Sequence, residues 1–367
     1  MKKIFLLLAL ATALFTKAQT LTSVVPGNDR KAMVGEQIGL TKVIINYDRP
    51  GVKGREGKIW GQLVHEGFKD LGFGSAKAAP WRAGANENTT IEFSTDVKIE
   101  GKSLPAGKYG LFVAWDPNES TVIFSKNSGS WGSYYYKESE DALRVKVKPQ
   151  QTEKSVEWLK YEFVNQTNNS ATVALEWEKM IIPFKVEVDI VQTQIESFRQ
   201  ELRTRKGFQW QPWVEAAMYC VQNNTNLEEA LLWTDSATST IFGGNTQFQA
   251  WSAKAQVLQK LGRGKDADEI MQKYLPLANM QEVHQYGRQL LQVGKKKEAL
   301  EVFKQNNIKY PNEFTTIFGL ARGYSGNGDY ANALKYAKLA LPLAPNGGNK
   351  TAVENAIKKL EENKDFN

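Results

Sequence analysis

Arg49, Arg55, Arg82, Asn86 and Glu87 have strong hydrogen-bonding side chains. They fall in short stretches crowded with glycine and tryptophan, and Trp81 stands beside Arg82. A guanidinium presents a planar fork of donors to a carboxylate, an amide both donates and accepts, and an indole offers a flat apolar face. Together they suit a polar ligand such as a sugar or a carboxylate. The same residues can instead satisfy one another, Arg82 with Glu87 or Asp48, and Asn86 through the side-chain bonds of a turn. If these loops turn over a substrate, Glu87 or Asp48 is the acid or base and an Arg stabilises the anion. Spacing alone fixes no carboxylate separation, so sugar hydrolysis does not follow. His65 titrates in the right range for a proton shuttle, but a single histidine in a glycine-rich loop is expected to be exposed.

Other chemistry is sought and not found. Gly264-Lys265 lacks both the upstream glycine and the following Ser or Thr of a phosphate-binding loop. There is no Gly-x-Ser-x-Gly elbow, Ser-x-x-Lys pair or His-Glu-x-x-His helix. Gly72-Phe73-Gly74 has neither the third glycine nor the βαβ setting of a dinucleotide site and reads as a flexible loop. One cysteine, Cys220, and two histidines, His65 and His284, leave no disulfide framework and no structural metal site. Cys220, next to apolar neighbours on a helical face, reads as a small buried hydrophobe. No cofactor motif remains, and the chain reads as noncatalytic.

The positioning elements change character at about residue 190. From residue 20 to 189 apolar residues alternate, as in Tyr109, Leu111 and Val113, or Val173, Leu175 and Trp177, or Phe184, Val186 and Val188. Turn residues interrupt them at short intervals. This predicts an antiparallel β-sandwich or barrel over 19–189, because parallel units would need intervening helices. Trp60, Trp81, Trp115, Trp131, Trp158 and Trp177 all belong to this half, mostly as packing residues. Residues 190–212 read as a basic connecting helix with a solvated face, and 213–367 as helical repeats. Gly294 and Gly328, Ala299 and Ala333, Leu290 and Tyr324, and Pro311 and Pro345 each recur at a 34-residue interval, the period of tetratricopeptide helix pairs. In each unit the glycine is placed in the inter-helix turn. A last helix carrying Val353, Ala356, Ile357 and Leu360 caps the array, with Thr351 and Glu354 spaced as a capping box. The fold class is therefore α+β and multidomain.

Two resemblances sharpen this. Tyr47-Asp48-Arg49-Pro50, Lys53-Gly54-Arg55, Ile59-Trp60-Gly61, Trp81-Arg82-Ala83-Gly84-Ala85-Asn86-Glu87, Leu104-Pro105-Ala106-Gly107-Lys108-Tyr109, Trp131-Gly132 and Trp177-Glu178 resemble the exported bacterial family called domain of unknown function 2911. The resemblance implies a β domain in an envelope setting and brings no activity. His65 to Pro80 departs from the shorter family pattern as a Gly- and Ala-rich extension. The helical half resembles a tetratricopeptide array, which implies a groove for a protein or peptide. By that resemblance Arg288 and Arg322, equivalent positions on the first helices of successive repeats, line the groove, with His284 and Phe318 one turn earlier. Two guanidinium groups beside an aromatic suit a peptide carboxylate or acidic side chain, although solvated arginines covering apolar neighbours are the plain alternative. Lys295-Lys296-Lys297 reads as a solubilising run.

Lys2 and Lys3, the apolar stretch Ile4 to Phe15 and the small residues Thr16 and Ala18 form an export signal with a cut after Ala18. Its apolar stretch is shorter than the roughly twenty residues that span a bilayer, so the mature chain is expected to carry no transmembrane segment and to be periplasmic or secreted. The chain has 47 Lys and Arg against 40 Asp and Glu. That excess falls further once the three lysines of the leader are removed, which argues against nucleic acid as a partner. The expected function is an envelope adaptor that holds a protein or peptide in its helical repeats. The alternative is a β domain that binds a glycan or another small polar ligand, with hydrolysis ranked below both.

Overall fold

The computed structural model describes residues 30–367, and the leader expected over 1–18 lies outside the described residues. The chain divides after Ile190 into two compact units.

The described part of the first unit holds ten strands: β1 (Arg30–Ile38), β2 (Thr41–Arg49), β3 (Thr90–Phe93), β4 (Val97–Ile99), β5 (Lys102–Leu104), β6 (Gly107–Ala114), β7 (Ser120–Ser125), β8 (Asp141–Val147), β9 (Gln150–Val164) and β10 (Ser170–Glu187). One sheet runs β1-β2-β3-β6-β7-β8 and the other β5-β4-β10-β9, and every named pair is antiparallel. The alternating residues explain the layering. Tyr109, Leu111 and Val113 of β6 point into the same core as Val173, Leu175 and Trp177 of β10. Phe124 meets Phe184 edge-on across the two sheets with ring centroids 5.6 Å apart. The arrangement is a sandwich rather than a closed barrel. Its sheets are laced together where Val52 N–H donates to Glu157 C=O and Leu159 N–H to Pro50 C=O.

The His65–Pro80 extension is not a free loop. It pairs by single bridges, Glu66 with Trp115 and Lys69 with Ala79, and lays Leu71, Ala76 and Ala79 on Phe112 and Ile123, which face away from the main core. Gly72-Phe73-Gly74, expected as a flexible loop, is an exposed bend that touches the rest of the unit through Tyr134. The Phe73 ring meets Tyr134 edge-on at 5.2 Å, and a Cβ on Gly74 would fall 2.3 Å from the Tyr134 carbonyl oxygen. His65 is half-buried rather than exposed, and burial lowers its pKa.

The second unit is built from α1 (Ile190–Glu201), α2 (Trp210–Asn223), α3 (Leu227–Ala237), α4 (Phe248–Lys260), α5 (Gly264–Tyr274), α6 (Met280–Gln292), α7 (Lys296–Lys309), α8 (Phe314–Gly326), α9 (Tyr330–Ala340) and α10 (Gly347–Glu361). The connecting helix expected over 190–212 is not one helix. α1 stops at Glu201, a 3-10 turn follows at Arg205–Phe208, and Ile195 and Leu202 pack with Ala216, Ala217 and Cys220. Arg199 is held on α3 by two bonds to Glu229, of 2.8 and 2.7 Å, so this stretch is the first layer of the helical core.

The repeat is exact in its later copies, with α8 beginning 34 residues after α6 and α9 beginning 34 residues after α7. α4, α6 and α8 all end the same way. Gly262, Gly294 and Gly328 take φ of 77°, 79° and 80°, and the next N–H reaches back to Leu258, Leu290 or Tyr324. This left-handed stop costs a residue with a Cβ about 1 kcal/mol, which is why glycine marks each turn. The expected capping box at Thr351 and Glu354 is absent. α10 starts earlier, with the Asn346 side chain accepting from Asn349 N–H, and the Thr351 hydroxyl donates to the Gly347 carbonyl inside the helix. A capping box occurs instead at Asn279 and Glu282 of α6.

Candidate functional site

The loop Trp81–Glu87 enters the first unit as a two-bond bridge between Trp81 and Val113 and then turns sharply. Gly84 is required there, since a Cβ would stand 2.6 Å from the Thr89 hydroxyl. Ala83 and Asn86 adopt φ of 51° and 53°. The Ala83 carbonyl is fixed by the Tyr161 and Thr89 hydroxyls at 2.8 and 3.1 Å. Lys53, in the facing turn, and Glu178, at an irregularity in β10, share the same left-handed backbone with φ of 51°. Side-chain-bearing residues in this region carry strain that the surrounding packing must hold.

Four of the six residues predicted from sequence line one open pocket of about 710 Å³: Arg55, Trp81, Arg82 and Asn86, joined by Lys53 and Trp177. Arg49 and Glu87 do not line it. Arg49 turns to the Leu159 carbonyl at 2.8 Å, and Glu87 pairs with Lys31 on β1. Within the pocket much of the hydrogen-bonding capacity is already used. Arg55 donates to Val52 and Gly51 carbonyls at 2.9 and 2.6 Å, and the Trp81 indole donates to Gly84 C=O at 3.2 Å. Arg82 donates to Asn86 C=O at 2.7 Å and lies 5.0 Å over the Tyr134 ring. The pocket floor belongs to a four-indole cluster in which Trp60 meets Trp81, Trp115 and Trp177 at 5.6, 5.6 and 6.2 Å. The Trp177 N–H is buried and has no acceptor among the described residues. Both nominated acids lie beside Lys31, with Asp48 3.7 Å from its ammonium.

Residues 29–186 match the DUF2911 family model. That model describes a protein of unknown function, and the DUF2911 match covers the resemblance carried by the Trp-Arg-Ala-Gly-Ala-Asn-Glu run. No curated protein matches the chain. Among crystal structures it is similar to YrrB, described as a TPR protein with an unusual peptide-binding site, at 18% identity, 47% of this chain, 87% of that one and a TM-score of 0.30. It is also similar to the C-terminal part of a TPR repeat-containing protein from Cytophaga hutchinsonii, at 15% identity, 47% and 67% coverage and a TM-score of 0.36. The helical region that follows the DUF2911 segment therefore has to be read from its own geometry.

There the 34-residue register brings Arg288 of α6 and Arg322 of α8 onto one cavity of about 280 Å³, together with Leu291, Gln292 and Lys296. Neither arginine forms an ion pair with a carboxylate among the described residues. Arg322 is half-buried, with its guanidinium 4.8 Å from the Phe318 ring centroid and its Nε lacking an acceptor among the described residues. Burial, with Arg288 nearby, brings its pKa down to about 10. His284 lies one turn before Arg288 and meets Phe303 at 5.5 Å. Burial first, then Arg322 and Arg288, push its pKa down to about 4, so it is neutral at pH 7. All four sequence-predicted groove residues thus belong to one neighbourhood.

Sequence reasoning missed Lys296, placed in a solubilising run, and Asp365 and Asn367, which also line this cavity. Lys295 is engaged as well, with both Asp268 oxygens at 2.6–2.7 Å. Cys220 is fully buried and its thiol is raised to about 11 by that burial, which makes it a poor nucleophile. Among the described residues no helix is long and apolar enough to cross a membrane.

Proposed function

We propose that the protein is a noncatalytic adaptor, exported by its first eighteen residues to the envelope or beyond, whose helical unit holds an anionic segment of a partner protein between α6 and α8. The observation that carries this reading is the pair Arg288 and Arg322. The two guanidinium groups share one cavity, neither is ion-paired among the described residues with Asp365, the acidic residue that also lines it and is bonded to Ser325 and Asn367, and one of them is half-buried between rings. Placing like charges together and withdrawing one from water is unfavourable unless an anion completes the arrangement. The test is fluorescence anisotropy with a dye-labelled hexaglutamate peptide. Arg288→Ala with Arg322→Ala is expected to weaken binding at least tenfold, and unchanged binding would overturn the groove.

A second reading concerns the β unit, a small polar ligand or glycan seated over Trp81 and Trp177. It is supported by the acceptor-free Trp177 N–H and by strained backbone at Lys53, Ala83 and Asn86 around the pocket. A glycan and organic-acid array checks it. Hits that vanish with Arg82→Met support the reading, and an array without hits removes it.

A further inference from the structure

We propose that residues 363–367 are a built-in occupant of the same groove, and that the partner segment shares their chemistry, a carboxylate followed by an aromatic ring. This rests on the groove reading above and adds to it the ligand that the groove selects and the segment that closes it.

The segment is placed by construction. After α10, Asn363 takes φ 55°, with Asn363 N–H bonding to Leu360 C=O and Lys364 N–H reaching Lys359 C=O at 2.9 Å, so the chain reverses in a defined stop. Beyond this reversal, residues 365–367 lie along one stripe of α8. Ser325 donates its hydroxyl to Asp365 at 2.7 Å and accepts from Phe366 N–H at 3.2 Å. The Phe366 ring stacks on Phe318, centroids 5.6 Å apart and planes 17° from parallel, and the Arg322 guanidinium lies 5.3 Å from it. Asn367 donates to the Arg322 carbonyl at 3.0 Å and accepts from its Nη1 at 3.3 Å. Phe318, Arg322 and Ser325 are therefore all engaged by the segment, with Phe366 touching each of them and Asp365 and Asn367 adding bonds to Ser325 and Arg322.

The occupancy is incomplete in a specific way. The aromatic slot is filled and the backbone is held, but the Asp365 carboxylate is taken by Ser325 and Asn367. Arg288 has no carboxylate partner among the described residues, Arg322 Nε has no acceptor, and a cavity of about 280 Å³ remains between them. A tethered segment competes at the high effective concentration of an intramolecular contact. A partner that supplies both the ring and a carboxylate reaching Arg288 and Arg322 gains the ion pairs that the segment leaves unmade, and displaces it.

The experiment uses the full-length chain, with Asp365→Ala and Phe366→Ala to vacate the slot, and two dye-labelled probes. One is the pentapeptide Asn-Lys-Asp-Phe-Asn, the other hexaglutamate. The pentapeptide is expected to bind the vacated chain at least tenfold more tightly than the unaltered chain, and adding Phe318→Ala is expected to cancel that gain. Equal binding to both chains, or a gain that survives Phe318→Ala, overturns the proposal. Hexaglutamate separates this failure from failure of the groove. If it binds through Arg288 and Arg322 while the pentapeptide shows no gain, only the occupant falls. If it does not bind, the groove reading falls with it.

Discussion

Gly287 of α6 lies directly against Phe303 of α7: a Cβ on Gly287 would stand 2.6 Å from that fully buried ring. Gly319 of α8 approaches the same ring from the next helix, where a Cβ would come within 2.8 Å. One phenylalanine thus keys three helices together, and the two glycines set how closely they approach. Gly287→Ala is expected to destabilise the helical unit by about 1–3 kcal/mol through overpacking. Phe303→Leu in the Gly287→Ala background should recover part of the loss, because it frees the space that the methyl needs. Urea unfolding followed by circular dichroism measures both, and additive losses in the double variant would contradict the shared-ring account.

His284 gives the helical unit an acid-sensitive component. Its pKa is about 4 when folded against an ordinary value of 6.5, since burial and two arginines oppose its charge. Between these values the unfolded chain binds the proton and the folded chain does not, so stability rises with pH. The contribution is complete above pH 6.5 and is lost as pH falls towards 4, by about 3 kcal/mol. His284→Phe keeps a ring beside Phe303 and removes the titration. Denaturation at pH 7 and pH 4.5 should show a smaller acid loss in this variant than in the unaltered chain.

In the β unit, Gly132 takes φ 62° and a Cβ there would fall 2.4 Å from the Arg82 guanidinium carbon. Gly132→Ala must therefore move Arg82 off Tyr134 and away from the Asn86 carbonyl. The expected result is loss of any ligand response that depends on Arg82, with a stability loss of about 1–2 kcal/mol from backbone strain. If an array hit survives Gly132→Ala unchanged, Arg82 does not hold that ligand from its present position.

These contacts show which parts of the molecule were legible in the sequence. Alternation placed Tyr109, Leu111 and Val113 in a strand with a buried face, and the 34-residue register brought Arg288 and Arg322 to one cavity, because both patterns repeat locally. Arg49 and Glu87 were misplaced for the opposite reason. Their partners, the Leu159 carbonyl and Lys31, are 110 and 56 positions away, and nothing near either residue announces them. The Thr351–Glu354 spacing had the right form, but Asn346 caps the helix first. Phe366 stacking on Phe318 carries no periodic signal at all, since it depends on where a five-residue stretch lands after a reversal.

The groove's three cations differ in exposure, and this predicts how salt acts on binding. Arg288 and Lys296 are exposed, whereas Arg322 is half-buried between Phe318 and Phe366. Exposed charges are screened over about 10 Å at 0.1 M salt, and a partly desolvated one is screened much less. Raising salt from 50 to 500 mM should therefore weaken hexaglutamate binding chiefly through Arg288 and Lys296. Arg288→Ala and Lys296→Ala are expected to flatten the salt dependence, each with a modest loss of affinity. Arg322→Ala should give the larger loss at high salt while leaving most of the slope. Anisotropy titrations of the three variants across salt concentrations check this. Identical slopes in all three would mean that Arg322 meets the anion through water, as the other two do.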